Sequence, residues 1–105
     1  MATQPVKPKS VRQLFSDPTR WIKGYEHKEK KINGKVVDCF CLTGAIDHIY
    51  EDHQKNAAAR KRVRAAIEAY ELGKFDLNKY EIEGWNDRRK RTIVDVQRVA
   101  AFARI

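Results

Sequence analysis

The clearest order in this chain is a helical period. Over residues 57 to 72 (AAARKRVRAAIEAYEL), Ala59, Val63, Ala66, Ile67 and Tyr70 share one face and charged residues fill the rest, which predicts an amphipathic helix. Gly73 follows as its C-cap, since glycine enters the left-handed region without a Cβ penalty. A second period begins at Thr92, with Ile93, Val96, Val99, Ala100 and Ala103 inward. Thr92 is its N-cap, and Asp95, three residues on, makes a variant of the capping box. A third runs from Thr43 to about His53, with Leu42, Ile46, Ile49, Tyr50 and His53 on one stripe. Asn56 is the cap expected to separate it from the helix that follows. Val11 to Phe15 predicts a short helix that stops near Asp17-Pro18, because a residue before proline is pushed out of the α region. Ser16 or Asp17 then caps a second turn with Pro18 at its first position and Trp21 and Ile22 on its buried side.

Elsewhere the period changes. In YEHKEKKINGKVVDCF, Asn33-Gly34 suits a type I′ turn, which needs positive φ at both central residues, and predicts a hairpin with arms Tyr25–Ile32 and Lys35–Phe40. Two strands are not stable alone, so the ribbon must pack on helices. Residues 74 to 91 read as a connection carrying one apolar cluster, Phe75, Leu77, Tyr80 and Ile82. Residues 1 to 10 hold two prolines and almost nothing to bury, which predicts a flexible arm. The expected fold is mainly α, three to four helices with one short β-hairpin, in a single domain over 11–105.

Composition narrows the function classes. No apolar run approaches the roughly 20 residues that cross a bilayer, and the first ten residues lack the apolar core of a signal peptide. Cys39 and Cys41 are too close for an ordinary bridge, so reduced thiols and a cytoplasmic setting are expected. The formal charge is +8, from 22 basic and 14 acidic residues, which favours nucleic acid or an acidic protein surface as partner. No membrane partner and no cofactor are expected.

The segment DCFCLTGAIDH, residues 38 to 48, concentrates the reactive side chains. Cys41 stands at a helix entrance, where free N–H groups can lower a thiol pKa. A thiol enzyme also needs a base in reach. His48 lies seven residues on, about 10 Å along a helix. His53 points to the apolar stripe, and only His27 of the hairpin is left as a base. Structural zinc needs four ligands, and this Cys-x-Cys has no second pair. The alternative is a packing corner, with Gly44-Ala45 admitting another backbone closely beside a buried Cys41. That reading is preferred.

Trp21 and Gly24, then Cys41, Gly44 and Ala45, then Trp85, Asn86 and Asp87, then Thr92 and Val96 form an ordered series. In this order the chain resembles an uncharacterised family of small domains from bacterial and phage genomes, a likeness that brings no activity with it. For Trp85-Asn86-Asp87 the structural expectation is a core tryptophan followed by an Asx-turn that satisfies local backbone. The functional alternative is a polar pocket in which Cys41, Asn86 and Asp87 bind a small ligand.

Two basic runs remain: Arg60, Lys61, Arg62 with Arg64, and Arg88, Arg89, Lys90, Arg91. Arg64 is expected to pair with Glu68. Both runs crowd helix N-terminal regions, where cations are unfavourable, and two such runs favour an anionic partner over a merely solvated surface. The function expected is therefore a non-enzymatic binder of nucleic-acid backbone, through Arg60, Lys61, Arg62, Arg88, Arg89, Lys90 and Arg91. The alternatives are a phage-type inhibitor or adaptor on an acidic or nucleic-acid-binding face of a host protein, and a thiol enzyme centred on Cys41.

Overall fold

The computed structural model describes residues 8–105. Helix α1 (Val11–Leu14) is capped by Ser10, whose hydroxyl accepts from the Gln13 amide. Most of the arm expected over 1–10 lies outside the described residues, but Lys9 and Ser10 belong to the start of α1, the Lys9 amide donating to Gln13 Oε1. A 3₁₀ turn (Pro18–Arg20) follows, capped by Asp17 with Pro18 at its first position. Strands β1 (His27–Ile32) and β2 (Lys35–Phe40) form an antiparallel hairpin closed by the Ile32–Lys35 pair. Asn33 and Gly34 have φ of 52° and 78°, the positive pair that a type I′ turn requires.

Four more helices follow: α2 (Leu42–Ile49), α3 (His53–Tyr70), α4 (Leu77–Asn86) and α5 (Ile93–Ala103). The fold is mainly α with a minor hairpin. α5 starts as its sequence requires, with Thr92 and Asp95 closing a reciprocal capping box.

Two boundaries differ from expectation. α2 ends at Ile49, and α3 starts at His53 with Asp52 as N-cap, its carboxylate accepting from the Lys55 amide at 2.9 Å. Asn56 lies inside α3, where its amide donates to Asp47 and to the Tyr50 carbonyl across the break. His53 is exposed at the start of α3, off the apolar stripe. The second difference is α4, in the stretch read as a connection. Asp76 caps it by accepting from the Asn78 and Lys79 amides. A break at Glu81 (φ 58°, ψ −175°) divides it and shifts its two turns out of one continuous period.

The core forms where α3 and α5 pack together, with α1 against α2 and α5 and α4 against α2 and α3. Leu14, Phe15, Leu42, Ile46, Val63, Ile67, Val96 and Val99 are buried around Trp85. Full burial of one such aliphatic side chain stabilises by about 1.5–3 kcal/mol relative to exposure. Tyr70, expected inward, is 36% exposed, and its hydroxyl donates to Asp95 at 2.6 Å.

The hairpin is anchored at its base. The Ile22 amide donates to the Phe40 carbonyl and the Cys41 amide to the Glu26 carbonyl. A Cβ added at Gly44 would lie 1.9 Å from the Glu26 carbonyl oxygen. Only glycine lets the first turn of α2 meet this backbone, as the packing-corner reading requires.

Candidate functional site

Two regions of the molecule draw together the residues singled out by sequence. The first is a buried polar node. Asn86 ends α4 and is wholly buried. Its Oδ1 accepts from Trp21 Nε1 at 2.6 Å and from the Leu42 amide at 3.0 Å. Its Nδ2 donates to the Ile22 carbonyl at 3.1 Å and to Asp87 Oδ1 at 2.9 Å. A side-chain amide has two acceptor sites and two donor hydrogens, so Asn86 has nothing left to offer a ligand. Asp87 Oδ1 also accepts from the Gly24 amide at 3.0 Å, and Gly24 sits at φ +83°, in the region that favours glycine. The expected Asx-turn is thus replaced by long-range bonds that tie α4 to the Trp21–Gly24 segment and to the entrance of α2.

Cys41 is the N-cap of α2, its Sγ accepting from the Gly44 amide at 3.3 Å. Cys39 and Cys41 are both free and buried. Burial pushes the Cys41 thiol above its ordinary range, the Gly44 and Thr43 amides pull it down, and the Asp87 and Glu26 carboxylates push it up again; the net shift is upward. That is the opposite of an activated nucleophile. His27 and His48 stack on either side of Phe40, at 5.0 and 4.6 Å between ring centroids, and His27 Nε2 lies 2.9 Å from Asp38. Among the described residues no group of three His, Cys, Asp or Glu side chains is arranged to hold a metal. A cavity of about 200 Å³ adjoins the node, lined by Gly24, Tyr25, Glu26, Cys41, Glu83 and Asp87. Its three carboxylates make it a poor receptor for an anion.

The second region is basic, and the structure redistributes its members. Consecutive helical residues project about 100° apart, so Arg60, Lys61 and Arg62 cannot act as one patch. Arg60 turns to α2, where it pairs with Asp47 at 2.7 Å and bonds Asn56. Arg62 is exposed on another face. Lys61 joins Arg64, which donates to the Leu77 carbonyl at 3.5 Å in place of the expected Glu68 pairing. Lys61 and Arg64 line a cavity of about 560 Å³ with Lys74 and Phe75, edged by Glu68 and Asp76.

In the second run Arg91 differs from its neighbours. Its side chain is 10% exposed and pairs with Glu71 at 2.8 Å. It also donates to the Trp85 carbonyl and stacks 3.9 Å from the Trp85 ring centroid. Arg91 therefore belongs to the interior. Arg88, Arg89 and Lys90 are exposed on a tight turn closed by the Arg91 amide bonding the Arg88 carbonyl. The carbonyls of Arg88 and Arg89 accept from Lys23 Nζ at 2.7 and 3.3 Å. With Lys74 and Phe75 these three cations line a cavity of about 530 Å³, on whose wall Arg91 meets Glu71.

The two cavities share Lys74 and Phe75, so residues of α3 and of the 88–90 turn border adjoining concavities in which cations outnumber carboxylates. Sequence reasoning missed Lys74, Arg64 as a member of this lining, and Lys23. α3 ends earlier than expected, with Glu71 rather than Gly73 as its C-cap, and Leu72 and Gly73 follow at φ 53° and 72°, so the chain turns off the helix end before Lys74. The hairpin adds cations that contiguous runs do not reveal: the register places Lys28, Lys30 and Lys35 on one face of the ribbon.

The chain belongs to a family of unknown function, DUF6197, whose profile matches residues 9–104. No curated protein and no solved structure gives a significant match.

Proposed function

We propose that this member of a family of unknown function is a non-enzymatic protein that binds the sugar–phosphate backbone of nucleic acid. One observation carries the proposal: cations from α3, from Lys74 beyond its end and from the 88–90 turn line two adjoining concavities. Lys61, Arg64, Lys74, Arg88, Arg89 and Lys90 are the contacting residues. Such a face gains affinity by releasing the counterions condensed on phosphates, without reading bases. The buried thiols fit a reduced, cytoplasmic setting. The inhibitor or adaptor reading, of the phage type, would use the same face on an acidic host protein. Leu72, 79% exposed at the rim beside Gly73, supports that second reading.

The test is fluorescence anisotropy with labelled oligonucleotides across a salt series. Wild type should bind, with log affinity falling at a slope of about −0.9 per phosphate neutralised on duplex DNA. Lys61→Glu with Arg64→Glu should lower affinity at least about tenfold, and Arg88→Glu with Arg89→Glu and Lys90→Glu at least as much. Wild-type affinity from both reversed variants would overturn the proposal. Absence of any nucleic-acid binding, with a weakly salt-dependent protein complex instead, would transfer the face to the second reading.

A further inference from the structure

A smaller cavity, of about 230 Å³, opens beside the basic turn and is lined by Phe75, Tyr80, Gly84, Asp87 and Arg88. Tyr80 is 49% exposed, its ring 5.8 Å from that of Phe75 at 45°. The Arg88 guanidinium stands 5.2 Å from the Phe75 ring, and Lys79 Nζ 5.2 Å from the Tyr80 ring. Two features of α4 hold this opening in place. A Cβ at Gly84 would meet Tyr80 Cβ at 2.8 Å, so the glycine makes room for the tyrosine. Glu81, next in the chain, has φ 58° and ψ −175°, a backbone region that any residue with a Cβ enters only at a cost in free energy. A regular helix would have avoided that cost. Asp87 brings a carboxylate to the wall, but its Oδ1 is already engaged by the Gly24 amide and Asn86.

We infer that the slot formed by Phe75, Tyr80 and Gly84 takes an unpaired base of a single-stranded nucleic acid. The flanking phosphates lie along Lys74 and Arg88 to Lys90. This deepens the backbone-binding reading and rests on it. An apolar cavity of about 150 Å³ already admits benzene, so the slot has room for a flat ring. Phe75 is itself buried, so the stacking face is that of the half-exposed Tyr80. An exposed aromatic face bordered by cations suits single strands, because every base offers a π face while the backbone follows the charge. In a duplex the base faces are covered by their stacked neighbours and cannot enter, although the phosphates still meet the cations.

The experiment compares 15-mers of deoxyuridine and of uridine with a duplex and with linear polyphosphate, at matched salt. Wild type should prefer a single strand to the duplex, and the better 15-mer identifies the sugar. Tyr80→Ala should weaken single-strand binding roughly 5- to 100-fold, as loss of one stacked base does. It should leave duplex binding, polyphosphate binding and the salt slope unchanged. Tyr80→Phe should bind like wild type. Tyr80→Leu, which keeps an apolar cover over Phe75 without a π face, should behave like Tyr80→Ala and guards against a folding defect. Single-strand affinity unaltered in both Tyr80→Ala and Tyr80→Leu would overturn the inference while leaving the basic face standing. Wild-type protein that binds none of the four probes would remove both.

Discussion

The Asn86 side chain has all its hydrogen-bonding capacity engaged within the chain, whereas three residues later Arg89 stands exposed on a turn. The contrast separates two kinds of recognisable sequence. Trp21, Gly24, Cys41, Gly44, Asn86 and Asp87 form an ordered series of polar and small residues, expected to pack and bond within the chain, with a ligand pocket at Cys41, Asn86 and Asp87 as the alternative. In the folded chain they satisfy one another. Lys61, Arg88, Arg89 and Lys90, which stand out in sequence as basic runs, line open concavities together with Lys74. The mixed series of polar and small residues thus marks where the chain meets itself, and the basic runs mark where open concavities lie.

The sharpest way to break this division is to alter the node. Gly44→Ala places a methyl group against the Glu26 backbone, which cannot retreat without opening the hairpin base. Asn86→Ala leaves the buried Leu42 amide and the Trp21 indole N–H without an acceptor, and each orphaned donor costs about 1–3 kcal/mol. Both variants should lose about 3 kcal/mol or more in urea unfolding. A node variant with wild-type stability would mean that these residues are held for a ligand after all.

Next in size is the contrast between adjacent arginines. Arg91→Ala should cost about 2 kcal/mol, since charge-assisted bonds to Glu71 and to the Trp85 carbonyl are lost together. Arg89→Ala should change stability by less than about 0.5 kcal/mol and weaken nucleic-acid binding instead. Thermal melts and anisotropy on the same two proteins decide it, and equal effects on stability would merge the two regions.

The smallest effect concerns Cys41. Removing its cap in Cys41→Ala should cost about 1 kcal/mol, and Cys41→Ser, whose hydroxyl accepts the Gly44 amide better, should recover most of it. Burial raises the Cys41 and Cys39 thiols above their ordinary 9.0, so the folded state holds these protons more tightly than the unfolded one. That contribution to stability is fully present below about pH 9 and is lost as pH rises through the raised values. Urea midpoints measured from pH 8 to 10.5 should fall less steeply in Cys41→Ser than in wild type.

Most of the architecture was legible where one residue has one physical use. Asn33-Gly34 can hardly do other than turn, and Thr92 with Asp95 can hardly do other than cap. α4 escaped because its break at Glu81 dephases Leu77 from Ile82 and Trp85, so no single period survives, although Asp76 was a visible start signal. The α2–α3 boundary was misplaced for a related reason: Asp52 and Asn56 are both competent caps, and only the fold chooses. Direction was the information least available. A run such as Arg60-Lys61-Arg62 reads as one patch, yet a helix scatters it, while Lys61, Arg64 and Lys74 converge from separated positions. Arg91 could not be told from Arg89 without Glu71 and Trp85 beside it.

The contact between α1 and α5 joins the two ends of the fold. α1 has four residues, too few to hold a helix by its own hydrogen bonds. Its Val11 amide donates to the Ile105 carbonyl at 2.7 Å, and its buried side chains lie between α2 and α5. Closing so long a loop carries an entropic cost that local structure does not. α3, with 18 residues, makes its hydrogen bonds between neighbours in sequence. α1 cannot settle until α5 exists, so the first helix waits for the last.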